Sequence, residues 1–114
     1  NKEVIASIKS CGFREGRTVD VLETKMPTDL FRLKTTIHVH PARTEYKGKD
    51  WLEVAKELWL KPDTEYYHLW GHSHELSKFE LWEDLENLLL FLRQCLPTNI
   101  NAKNAIRRTS FFNL

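Results

Sequence analysis

The stretch Tyr66-Tyr67-His68-Leu69-Trp70-Gly71-His72-Ser73-His74-Glu75 constrains this chain more than any other. Its aromatic and aliphatic start, Tyr66 to Trp70, reads as a short buried strand. A polar tip with two imidazoles and a carboxylate follows, and then a helical pattern from Lys78. Strand, polar tip, helix is the order in which α/β proteins deliver reactive groups to the carboxyl ends of their strands. Gly71 at the tip would let the backbone turn sharply or approach a ligand.

The remaining elements fit around that unit. Val4, Ile5, Ile8 and Cys11 recur at helical spacing after Asn1, a good N-cap, and Gly12 is a natural left-handed terminator. Arg17 to Leu22 alternate loosely and suggest a strand. Met26 to Asp29 reads as a loop. Leu33 to Val39 is rich in β-branched residues and reads as a second strand; Ala42 to Lys49 reads as a polar loop. Asp50 and Glu53 form a capping box for a helix that buries Trp51, Leu52, Ala55, Leu58 and Trp59 and ends before Pro62. Ser77 and Glu80 form a second box, with Leu76 and Leu81 as its hydrophobic staple. From there Leu81, Trp82, Leu85, Leu88, Leu89 and Leu92 trace an apolar stripe, which predicts a last helix over about 78–95. Residues 98–114 read as an irregular tail with at most a short strand near Ile100. The alternation of strand and helix predicts α/β structure, with three to four mostly parallel strands and three helices.

Charge and cysteine content narrow the function classes. Seventeen basic and sixteen acidic residues leave a net charge of +1, so no polyanionic partner is selected. Lys103 to Arg108 forms the one local basic run, and no groove-reading motif accompanies it, so nucleic acid is not expected. No apolar run approaches the ~18 residues of a membrane span. Cys11 and Cys95 match no metal-ligand spacing and are expected to be buried free thiols.

Chemistry concentrates in the histidines. His38 and His40 stand two apart at the end of the second strand, so both face one side of it. His72 and His74 repeat that spacing at the end of the third. If those strand ends are neighbours, four imidazoles converge with Glu75, an arrangement that invites a metal ion. The simpler expectation is that these tip histidines make hydrogen bonds, His38 in a structural role. His72 is the candidate general acid: imidazole titrates near neutral pH, and a strand end points it toward a crevice.

At this point the residues carry a likeness. His68-Leu69-Trp70-Gly71-His72-Ser73-His74-Glu75, followed by Trp82-Glu83-Asp84-Leu85-Glu86, resembles the carboxyl-terminal signature of polysaccharide deacetylases. Lys2 to Val19, with Cys11-Gly12-Phe13, is similar to an earlier segment of that family. The resemblance covers residues 1–97 as the carboxyl-terminal part of such a domain, and it implies a partial (β/α) barrel. It also implies a divalent metal, zinc or similar, that activates water for hydrolysis of acetyl groups on a polysaccharide or acetylated sugar. His72 would be the catalytic acid, and Leu69 and Trp70 would line the substrate pocket. The family's metal ligands and catalytic base belong to motifs that precede the matched segment, so no metal is expected to be fully ligated by these residues. An amino-terminal half, or self-association, would then cover the exposed strand edges. A different class of function is a non-catalytic carbohydrate-binding or assembly module, in which Trp51, Tyr66, Tyr67 and Trp70 stack on sugar rings.

Overall fold

Strand pairing follows the order of the chain. The computed structural model describes residues 1–14, 18, 20–95 and 106–112. In it β1 (Ile37–His38), β2 (Tyr66–His72) and β3 (Ile106–Phe112) form one parallel sheet in the order β1-β2-β3. Helix α1 (Lys2–Ser10) precedes the sheet, and α2 (Trp51–Leu60) connects β1 to β2. Helices α3 (Ser73–Lys78) and α4 (Trp82–Gln94) connect β2 to β3. The α/β character and the parallel pairing are as the sequence predicts. Among the described residues the sheet is open rather than closed into a barrel, and the α-helices number four rather than three.

The two-residue period of the strands sorts their side chains onto two faces. Ile37 and Val39 share a face with Tyr67 and Leu69, and all four belong to the core that Trp51, Val54, Ala55, Trp59, Leu85 and Leu88 complete from α2 and α4. Tyr67 fits there because its hydroxyl donates to the Ala55 carbonyl at 2.9 Å and its ring meets Trp59 edge-on at 5.1 Å. The opposite face carries His38, Trp70 and His72, and the register sets His38 beside Trp70.

β2 runs two residues beyond its expected end. Gly71 does not turn the chain; it stays in the strand, in register with Phe111. Pairing with β3 holds the backbone extended there, and that ladder outweighs glycine's freedom to bend. Conversely β1 is far shorter than Leu33 to Val39. The backbone bends at Thr36, and threonine hydroxyls take over the ladder there. Thr35 Oγ1 donates to the His68 carbonyl at 2.9 Å, and Thr36 Oγ1 accepts from the His68 N–H at 2.9 Å. Side-chain bonds of this kind compete with regular strand pairing.

Other boundaries move for local reasons. Ser77 and Glu80 do not start a helix: Ser77 lies inside α3, and Glu80 has a left-handed φ of 55°. The Ser77 hydroxyl accepts from the Trp82 indole at 3.0 Å instead. Leu76 and Leu81 still meet, both buried, with the Leu81 N–H donating to the Leu76 carbonyl at 2.8 Å. The stripe on α4 is narrower than its sequence suggests, because Trp82 and Leu89 are exposed. The expected strand at Arg17 to Leu22 is not regular among its described residues, where a positive φ at Leu22 interrupts it. That stretch still bonds alongside residues 33–36, through Thr18 to Leu33 and Leu22 to Thr36. The tail read as irregular contains β3, while Ile100 lies outside the described residues. Both cysteines are free, but Cys11 is exposed and Cys95 half-buried, because α1 buries none of its residues and α4 ends at Cys95.

Tyr46 secures the outer edge of β1. It sits in a single 3-10 turn (Thr44–Tyr46), and its buried hydroxyl accepts from the His38 N–H at 3.0 Å while donating to the His38 carbonyl at 2.7 Å. One hydroxyl thus satisfies both edge groups of that residue, which a neighbouring strand would otherwise have to do. Tyr46→Phe leaves both groups buried and unpaired, so it should destabilise the chain by about 1–3 kcal/mol. Urea denaturation measures this; an unchanged midpoint would show that solvent replaces the hydroxyl.

Candidate functional site

The site lies where β1 and β2 end side by side. His38 is the last residue of β1 and His72 the last of β2, and parallel pairing puts both carboxyl ends on one edge of the sheet. His40 shares the face of His38 by the strand period, and Glu75 enters from the first turn of α3. The convergence expected of the two histidine pairs therefore occurs. The ring centroids of His38 lie 5.3 Å from those of His40 and 6.0 Å from those of His72, and His74 follows at 5.4 Å from His72. Trp70 forms the floor: its ring stacks on His38 at 4.3 Å and meets His72 edge-on at 5.0 Å.

Glu75 is the hub. His38 Nε2 lies 3.0 Å from one carboxylate oxygen and His40 Nε2 3.5 Å from the other. The far sides of both rings fix which nitrogen carries the proton. An arginine nitrogen can only donate, and Arg43 Nη1 lies 3.0 Å from His38 Nδ1, so that Nδ1 is an acceptor. The Ala42 backbone N–H donates to His40 Nδ1 at 3.1 Å, so that nitrogen is an acceptor too. Each ring therefore presents Nε2–H to Glu75. Arg43 in turn is gripped by Glu45 through its Nε and Nη2, at 3.2 and 2.7 Å. This guanidinium holds the Glu45 carboxyl down at about 2. Burial pushes the Tyr46 hydroxyl up to about 12, so it remains a neutral bridge at physiological pH.

Distances alone would admit a metal ion, since ligand atoms of His38, His72 and Glu75 all lie within 4.8 Å of one another. The donor chemistry does not fit one. A metal-bound imidazole donates its remaining N–H outward, to a carboxylate, a carbonyl or water. Here the outward nitrogens of His38 and His40 face donors, a guanidinium and an amide N–H. Metal on Nε2 would leave each ring without a proton on either nitrogen.

The other sequence-level candidates fall into place. His72 ends its strand partly exposed, with its ring nitrogen and a Glu75 oxygen within 4.8 Å of each other. Trp70 supports the cluster and is 5% exposed; Leu69 is fully buried in the core, so it has no surface with which to line a substrate pocket. Trp51, Tyr66 and Tyr67 are also buried at 2% exposure or less. The sugar-stacking platform they were to form with Trp70 is therefore not presented, because strand and helix packing consume the ring faces. Arg43 and Tyr46 were hidden by reading 42–49 as a plain polar loop. The available signal was an Arg-x-Glu pair and a lone tyrosine just beyond a strand-ending His-x-His.

Comparison with family models, with curated proteins and with solved structures gives no match to this chain.

His38 generates a pH dependence. Burial lowers its pKa below the ordinary 6.5, against the raising effect of Glu75. A histidine with a depressed folded value binds fewer protons folded than unfolded, so its contribution to stability is present above 6.5 and is lost as pH falls through the folded value. The urea midpoint should therefore drop between pH ~7 and ~5, and His38→Gln should flatten that slope. A parent midpoint that holds or rises on acidification would reverse the assignment.

Proposed function

We propose that this cluster is the acid side of a hydrolase site that deacetylates a polysaccharide or related acetylated sugar, in a sheet belonging to a (β/α) barrel. The observation that carries the reading is His72 itself. It is the last residue of the central parallel strand, half-open to solvent, with a hydrogen-bonded carboxylate within 4.8 Å. The barrel reading is supported by the winding. The strands are neighbours in chain order, and α2 and α4 pack on the same core, as in a singly wound barrel. A doubly wound sheet reverses its strand order and covers both faces.

In this reading water adds to the acetyl carbonyl, the C–N bond breaks, and the departing nitrogen needs a proton. His72, entering as imidazolium, delivers that proton from its ring and leaves as neutral imidazole, while acetate and an amine are released. Trp70 fixes the inner edge of the ring, and the carboxylate of Glu75 lies beside it. The divalent metal and the catalytic base of the resembling family belong to motifs before the matched segment. The residues described here are assigned to neither role.

Acetate release from an N-acetylglucosamine oligomer tests the proposal, with the chain joined to a family amino-terminal half and supplied with zinc or cobalt. His72→Ala should lower turnover by about 10²- to 10⁴-fold, the usual contribution of a general acid, and leave bound metal unchanged. The 114 residues alone should show no turnover. Activity in the isolated chain, or metal lost with His72→Ala, would mean that the cluster ligates the metal after all.

A further inference from the structure

We infer that Glu75 is a positioning residue for His72, itself held between the Nε2 atoms of His38 and His40. The clamp itself stands on geometry; its catalytic use rests on the hydrolase reading above. Three observations carry it. Both oxygens of Glu75 are engaged, one by His38 at 3.0 Å and one by His40 at 3.5 Å. Both rings are fixed in the Nε2–H form by donors on their far sides, Arg43 and the Ala42 N–H. The carboxylate side chain is only 18% exposed, so its charge is shielded from bulk water.

The His38 hydrogen bond at one oxygen and the His40 contact at the other restrict rotation of this partly buried carboxylate. His38 and His40 are thus spent on holding Glu75, and neither is available to transfer protons. Among the described residues, His38 from β1, His74 beside it and Glu75 from α3 face His72. Of these Glu75 alone carries a negative charge. A carboxylate at that distance is close enough to orient the imidazole that a general acid must present. The supporting ring is closed within one short loop, His38 to Glu45, in which Glu45 holds Arg43 and Arg43 holds His38. His-x-His-x-x-Arg-x-Glu in this chain is therefore a device for fixing a carboxylate donated by the next helix.

Long-range proton–nitrogen NMR on the ¹⁵N-labelled chain tests this directly, because it reads the tautomer of each imidazole. At neutral pH His38 and His40 should both show a protonated Nε2 and a bare Nδ1, unchanged by one equivalent of zinc. A protonated Nδ1 in either ring overturns the clamp, and zinc-induced shifts at both Nε2 atoms turn the cluster into a metal site. In Glu75→Gln the amide offers only one acceptor oxygen, so one of the two rings should change its nitrogen shifts. The His72 ring nitrogens should also change their shifts, since the carboxylate that orients the ring is gone. Unchanged His72 ring shifts in a folded Glu75→Gln chain overturn the positioning role. Should that variant not fold, the parent tautomers and the zinc addition still decide the clamp. A clamp that is present while the completed enzyme releases no acetate would count against the hydrolase reading and not against the clamp.

Discussion

The central strand Tyr66–His72 must be hydrogen-bonded on both edges and covered on its helix side, and the rest of the structure is arranged around that requirement. Six of its seven residues are buried, so no backbone group along it can rely on water. β3 supplies one edge along its whole length. The other edge is met by a strand of only two residues, and the shortfall is made up by the Thr35 and Thr36 hydroxyls, the Thr36 and Val39 N–H groups and the Thr24 carbonyl.

The position of β1 then decides the site. Because it pairs in parallel, with Ile37 opposite Leu69, it ends beside Trp70, two residues short of the end of β2, and His38 shares a face with Trp70 and His72. A slip of one residue would turn His38 into the core and Ile37 out of it. Tyr46 helps prevent that slip, since its hydroxyl holds the N–H and the carbonyl of His38 together. The same short loop carries Arg43, so the register of the strand and the tautomer of its terminal histidine are set by neighbouring side chains. Packing and chemistry are coupled here through one residue, His38.

Electrostatically the site is a carboxylate surrounded by neutral and donor groups. That is the reverse of a metal centre, where neutral and anionic acceptors surround a cation. Four histidines at H-x-H spacing suggest ligands until the outward nitrogens are followed to their partners. The difference between the two arrangements is the direction of two hydrogen bonds, from Arg43 and from the Ala42 N–H.

The sequence by itself determined the elements with strong local codes. Asn1 and Asp50 cap α1 and α2 as their side chains predict, and the apolar run from Tyr66 is a strand. The facing of His38 with His40, and of Trp70 with His72, follows from a period of two. Tertiary structure decided what local codes leave open. Gly71 was kept in a strand because β3 pairs beside it, and Ser77 was kept inside a helix because α3 begins at once where β2 ends. β3 itself carries no clear period, and it is a strand because an edge of β2 needed a partner. The aromatics that could have stacked on a ligand were taken by the core. Above all, the tautomers of His38 and His40 depend on donors two to five residues from each ring. Only the folded loop brings those groups into line.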